Sequence, residues 1–437
     1  MISTPHTPPE PGTTLLRAIG VRALAAGLFN TIVGAGIFVL PATVAGLVDR
    51  GAPYAYLACA IAILFVTLCY AAVGSRVIDP GGSYAYIGRA FGPLAGFLGG
   101  VMVWLSDLLA TSGVASAFTA GVALYLPALN SPMGRIAFIT AVVGGLAAIN
   151  VRGVKQGTRF MEFVTIAKLA PLVLFIGIGL ALRSHNLALP EVPTGEALGR
   201  ATLVLMFVFS GAESAVALSG EVVDPVRTVP RALLFSLGLV TLLYGLVHLV
   251  AEATLGPALV TSTVAPLADA AGMLAGSPFR TLMLLGTLFS MLGYLSAVAL
   301  ATPRTLFALS GGGILPVLER VHPRHRTPYL AILVHAVAIV VVASMGSFEV
   351  LVPFASVAVL VLYLAVSLAS WELQRRDVRA ASDVFRVPPA VPLIASAFCL
   401  WLLWHASRTE LLLEAAVMAV AMTLYAARVL MRGAQDS

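Results

Sequence analysis

The chain has 437 residues, 59% of them hydrophobic and only 11% charged, with a formal net charge of +6 and a mean hydropathy of +0.98. A soluble domain needs far more charge on its surface, so the composition excludes one and indicates a polytopic membrane protein.

Residues 1–16 begin "MISTPHTPPEPGTT", rich in proline and without Lys or Arg before Arg17, which suits a disordered tail better than a signal peptide with its basic first segment. A bilayer core needs ~20 apolar residues per helix. Twelve such runs follow, at 20–46, 53–77, 94–120, 133–150, 160–182, 198–222, 230–254, 279–309, 328–345, 348–372, 391–407 and 410–431. The short connections leave no room for a soluble domain. Cys59, Cys69 and Cys399 lie within apolar spans, with neither a disulfide framework nor metal-ligand spacing. The seven histidines (6, 185, 248, 322, 325, 335 and 405) show no metal or nucleophile–base spacing, and no cofactor motif is present.

Placing the N-terminus inside puts 19 of the 26 Lys and Arg residues at cytoplasmic ends or loops. The exceptions are Arg50, Arg135, Arg183, Arg200, Arg280 and Arg408 on the other side and Lys168 within a span. This is the positive-inside bias, which places both termini in the cytoplasm of a cell-membrane protein. The positive charge therefore reports topology, with a lipid bilayer as partner, and calls for no nucleic acid.

Two spans carry interruptions. The first has "VGAG" at 33–36 and the sixth "FSGAES" at 209–214, about 177 residues apart, and each opens a set of five spans. Irregular backbone at membrane depth is tolerated only where it lines a protein cavity. Broken helices in matching positions of two halves point to a transport site at a repeat interface. The plainer reading, glycine for close helix packing, fits either site alone better than it fits the pair.

The first-span "IVGAGIFVLPA", the loop "DPGGSYAYIGRAFGP" (79–93) and the sixth-span "FVFSGAESAVALSGEVVDPVRTVPRA" (207–232) resemble the amino acid–polyamine–organocation transporters. The resemblance covers roughly residues 14–430. It implies an all-α, twelve-helix membrane protein of the LeuT-type fold, with five-plus-five inverted repeats and helices 1 and 6 unwound at mid-membrane. The repeats would be 17–183 and 184–373, followed by two accessory helices within 374–437.

That resemblance also implies roles. The N–H groups of Ala35 and Gly36 would hold a substrate carboxylate, and the carbonyls of Ile32 and Phe207 would accept from its ammonium. Gly34 and Gly211 would permit the unwinding, and the Phe207 ring would close over substrate. Many relatives have serine where this chain has Ala35, so one side-chain bond to the carboxylate is absent.

Lys168 stands out, because a mid-span cation costs ~2.5–3.5 kcal/mol on insertion scales and marks function by default. The chain has 24 Arg and only two Lys, so a retained lysine suggests a need for a compact ammonium that can release its proton. In the family, a lysine here occupies the position of a sodium ion, which implies sodium-independent transport. Lys168 is expected to bridge the Gly34 region to the eighth span, with Ser296 as partner.

Glu213 matches a gating glutamate of some antiporters, although that residue's tyrosine partner is Val103 here. Asp107 lies one turn beyond Val103 on the same face, and either enters the cavity or bonds Thr111 or Ser106. His248 and Glu252, at i,i+4 on the seventh span, read as an interfacial hydrogen-bonded pair. Trp104, Tyr294 and Tyr363 are candidate pocket walls, and "PLADAAG" (266–272) a cap over the outer vestibule.

These features describe a sodium-independent secondary transporter of amino acids, proton-coupled or exchanging. A polyamine or cationic amino acid antiporter is the alternative if Asp107 and Glu213 share the site. A channel or intramembrane enzyme is remote. Monomer and homodimer stay open.

Overall fold

A computed structural model describes residues 20–77, 82–152, 158–183, 189–211, 222–310, 316–378 and 384–433. Among these residues the regular structure is helical, without strands. In order it comprises α1 (Val21–Ile32), α2 (Gly36–Val48), α3 (Ala52–Gly74), α4 (Ser83–Phe91), α5 (Pro93–Ala123), α6 (Pro132–Val151) and α7 (Thr158–Arg183). Then come α8 (Gly195–Phe209), α9 (Pro225–Leu255), α10 (Pro266–Ser310), α11 (Tyr329–Met345), α12 (Phe348–Arg375), α13 (Ala390–Trp404) and α14 (Arg408–Gly433).

The apolar runs of the sequence fall on these helices in order, α1 and α2 together serving the first; the end of the sixth run lies outside the described residues. Seven helical stretches are long and apolar enough to cross a membrane, one of them, Gly36–Gly74, joining α2 to α3. Four others, including Val21–Ile32 and Ala390–Trp404, are apolar but only 10–17 residues long. The protein is thus a multi-pass integral membrane protein.

Local chemistry sets several boundaries. Ser131 accepts the Gly134 N–H at 3.1 Å with Pro132 next in the chain, and so opens α6. Thr194 does the same for α8 through Ala197 N–H at 3.3 Å. The helix α10 is interrupted at Ala275–Gly276, which separates the short 266–274 segment from the long arm. Leu267, Ala270 and Ala271 of that segment are fully buried, and Arg280 reaches back to Asp269 at 3.0 Å.

The centre of the bundle is α3 and α12. Small residues line α3 (Ala52, Ala55, Cys59 and Ala72 are all inaccessible), which lets neighbouring backbones come close without a hydrophobic driving force between helices. Around this centre α3 packs on α9, α5 on α10 and α6 on α11, while α1 rests on α9 and α8 on α3. A two-pronged ion pair, Arg200 to Glu410 at 2.6 and 2.7 Å, ties α8 to α14.

Candidate functional site

The segment between α1 and α2 is not helical. The last helical bond of α1 is Val33 N–H to Phe29 O, after which Gly34 N–H turns back to Ile32 O at 2.7 Å. A break strands backbone groups that water cannot reach, so other donors and acceptors must meet them.

Side chains from three helices meet the carbonyls. Lys168 of α7, 6% exposed, donates to Asn30 O and Val33 O, both at 2.6 Å. Tyr244 of α9 reaches Ile32 O at 2.9 Å, and Ser290 of α10 reaches Gly34 O at 3.1 Å. The N–H groups of Ala35, Gly36 and Ile37, at the start of α2, meet no acceptor among the described residues. The break therefore presents satisfied carbonyls and open N–H groups, with the positive end of α2 behind them. Such an arrangement suits an anion.

The end of α8 faces it. Ser210 leaves the helix with extended backbone, and Gly211 follows at φ +110°, a conformation that favours glycine. A Cβ on Gly211 would lie 3.3 Å from Thr31, so this turn sits on the end of α1. A Cβ on Gly36 would lie 2.4 Å from Val208 and 2.9 Å from the Phe207 ring, so only glycine lets α2 start against α8. Tyr244 Oη is also 3.2 Å from Val208 O, which makes it a hydroxyl shared by both helix ends. The carbonyl end of α8 is the negative pole that complements the N–H groups of α2.

These ends line a cavity of about 680 Å³. Its walls include Val103, Asp107, Phe207, Tyr294, Val298 and Thr302, and it runs on past Arg304 to Ser83 and Tyr84. In the other direction Ile37, Phe38, Val39 and Leu40 are no more than 2% exposed, so the cavity is closed beyond the break.

The predicted residues can now be placed. Gly34, Ala35, Gly36, Ile32, Phe207, Gly211, Asp107 and Lys168 all line the cavity, and so does Val103. Phe207 packs edge-on against Phe348, with ring centroids 5.7 Å apart. Asp107 accepts from Thr302 Oγ1 at 2.7 Å, whereas Ser106 donates to Ala355 O.

Several placements differ from expectation. Ile32 O already accepts from Gly34 N–H and Tyr244 Oη, so neither lone pair is left for an ammonium. Phe207 O accepts from Ser210 Oγ at 2.8 Å. The hydroxyl that meets the Gly34 region from α10 is Ser290; Ser296 is buried away from the cavity, and Lys168 bonds backbone carbonyls instead. His248 is 1% exposed, and its Nε2 lies 3.9 Å from Glu252, beyond the hydrogen bond expected for the pair. Of the aromatic candidates Tyr294 lines the cavity, while Trp104 and Tyr363 do not. Glu213 lies outside the described residues.

Tyr244 and Ser290 were not singled out by sequence. A tyrosine and a serine in apolar helices carry no local mark of function, and their role appears only once α9 and α10 meet the break.

A profile of the amino acid permease family matches residues 19–413. The chain is similar to the branched-chain amino acid permease BcaP of Bacillus subtilis, 25% identical over 89% of this chain and 88% of the relative. It is 28% identical to the serine/threonine exchanger SteT of the same organism, over 88% and 89%, and 26% identical to its methylthioribose transporter, over 85% of each. These relatives are transporters, not enzymes, and a match across nearly the whole length, on a chain whose cavity is built from two facing helix ends, settles the family: the chain belongs to the amino acid permeases.

Proposed function

We propose that this protein is a sodium-independent secondary transporter of neutral amino acids that works by alternating access, driven by protons or by exchange. The observation that carries the reading is the pair of facing poles: open N–H groups on Ala35, Gly36 and Ile37 beside Lys168, and the carbonyl end of α8 opposite. A zwitterion fits between them, its carboxylate on α2 and its ammonium on Phe207 O. Lys168 holds the break as a fixed cation, which leaves no work there for a sodium ion. The apolar walls formed by Val103, Tyr294 and Val298 favour an uncharged side chain, and Asp107 is engaged by Thr302.

The pairing of α3 with α9, α5 with α10 and α6 with α11 supports a five-plus-five inverted repeat, each pair joining corresponding members of the two halves. The charge bias of the loops supports a cytoplasmic mouth near Ser83 and Arg304, on the side of both termini, and hence an inward-open reading of this conformation. Names among the relatives span branched-chain and hydroxyl amino acids and a thio-sugar, which sets the test panel.

The test is thermal stabilisation of the purified protein by individual amino acids and methylthioribose, since a ligand stabilises the state that it occupies. Proteoliposome uptake of the best ligand follows, with and without sodium and a proton gradient. Saturable uptake indifferent to sodium supports the reading, and sodium-dependent uptake or stabilisation by methylthioribose alone rejects it. A second reading, a cationic amino acid or polyamine antiporter, is favoured by one observation, the Asp107 carboxylate in the cavity wall.

A further inference from the structure

We infer that His248 and Glu252 form a proton site at the closed end of the transporter, coupled to the substrate break through Tyr244. The inference rests on the carrier reading above and adds the group that takes the proton.

Tyr244, His248 and Glu252 stand one turn apart on the same face of α9. Tyr244 bonds both helix ends at the break. His248 is 1% exposed, and neither ring nitrogen has a hydrogen-bond partner among the described residues. A buried imidazole normally finds partners, so an orphaned one calls for an explanation. Glu252 is 21% exposed and feels Asp49 and Arg50, which lie between α2 and α3. The helix α3 runs from that point to the mouth-side α4, so Glu252 faces the end opposite the mouth. The column thus begins at the closed face and ends at the break.

Around His248, α3 contributes Tyr56, with ring centroids 5.4 Å apart, and Cys59 one turn on; α9 contributes Tyr244 and Glu252. Phe209 of α8 completes the packing, 6.5 Å from Tyr56 and 5.3 Å from Tyr244. Two other ionisable groups on helices packed against α9 are engaged elsewhere. Lys168 holds the α1 break, and Asp269 of α10 pairs with Arg280.

The step is a proton transfer. Protonated Glu252 gives its proton to Nε2, leaving a carboxylate and an imidazolium that close from 3.9 Å into a hydrogen-bonded ion pair. The closure moves the face of α9 that carries Tyr244, and so biases the two helix ends that its hydroxyl holds. Return of the proton to Glu252 resets the pair.

The test needs no substrate. A Thr305→Cys reporter in the cavity wall is labelled with a membrane-impermeant maleimide in proteoliposomes of the full chain, the native cysteines being buried. We expect the labelling rate, divided at each pH by that of a small free thiol to remove the thiolate's own pH dependence, to change roughly threefold or more between about pH 5 and 8, the range in which histidine switches. His248→Gln should flatten that profile, and Glu252→Gln should displace it. A parent profile that is flat, or one that is the same in both variants, overturns the proton site and leaves the carrier reading to the uptake assay. Should His248→Gln fail to fold, the partly exposed Glu252 variant decides alone: a displaced profile supports the site and an unmoved one overturns it.

Discussion

Tyr244 Oη lies 2.9 Å from the carbonyl oxygen of Ile32, and the same hydroxyl lies 3.2 Å from that of Val208. A phenol has one proton and gives it fully to one carbonyl at a time, and the shorter distance favours Ile32 O. Removal of the hydroxyl leaves buried carbonyls short of a donor, at about 1–3 kcal/mol. Tyr244→Phe should therefore fold, lose stability in that range and transport substrate at least several-fold more slowly. Matched uptake and thermal-melt measurements on the variant check this; wild-type uptake would show that the shared hydroxyl does not hold the gate.

Lys168 is the more severe case. Its ammonium meets two carbonyls, so Lys168→Ala strands Asn30 O and Val33 O together, while Lys168→Arg replaces a compact donor by a planar fork. Each stranded carbonyl costs about 1–3 kcal/mol. Both variants should abolish uptake, the alanine variant with the larger drop in thermal stability. Uptake by either at wild-type level would remove Lys168 from the mechanism.

The two glycines of the break should behave differently. A Cβ on Gly34 meets nothing nearer than 3.8 Å, whereas on Gly36 it overlaps Val208 at 2.4 Å. Forcing a methyl group into a packed site costs about 1–3 kcal/mol. Gly36→Ala should therefore lose both stability and uptake, and Gly34→Ala should keep its melting temperature. Equal stability losses in the two variants would contradict the close contact of α2 with α8.

Much of this was legible in the sequence, for physical reasons. Glycine clusters and a lone lysine inside apolar runs are costly in lipid, so they mark the break and its cation without any knowledge of packing. What hid was everything that depends on which helix faces which. Ser296 and Ser290 are six residues apart, about 1.7 helical turns, so a guess at the level of the span picks the wrong face of α10. Ile32 looked like an open acceptor because its occupant, Tyr244, comes from 212 residues away. His248 gave no sign of its burial because nothing local announces that Tyr56 packs against it.

The alanine at 35 offers a gain-of-function test. Ala35 is 1% exposed and lines the cavity beside the open N–H groups of Gly36 and Ile37. A hydroxyl there could donate to a carboxylate held by those groups, and such a bond is worth about 1 kcal/mol, or roughly fivefold in affinity. Ala35→Ser should lower the substrate KM by about that factor with little change in stability. An unchanged KM would place the carboxylate elsewhere.

Asp107 decides between the two substrate classes. Its Oδ2 accepts the Thr302 hydroxyl at 2.7 Å, and an asparagine can keep that bond through its own carbonyl oxygen. Asp107→Asn therefore removes charge from the cavity wall while preserving the link between α5 and α10. If the substrate side chain is neutral, uptake should stay within about twofold of wild type, because loss of a remote charge changes uniform binding little. If the cargo is cationic, its ammonium or guanidinium loses a charged partner worth about 1.5–3 kcal/mol, and uptake should fall by an order of magnitude or more. Competition by lysine, arginine and putrescine against a labelled neutral amino acid, in both proteins, separates the cases. We expect weak competition by all three in wild type and no further weakening in Asp107→Asn, since the Asp107 carboxylate is bonded to Thr302 and its neighbour Val103 on the same wall is apolar. Strong competition that vanishes in the variant would reassign the protein to the cationic class.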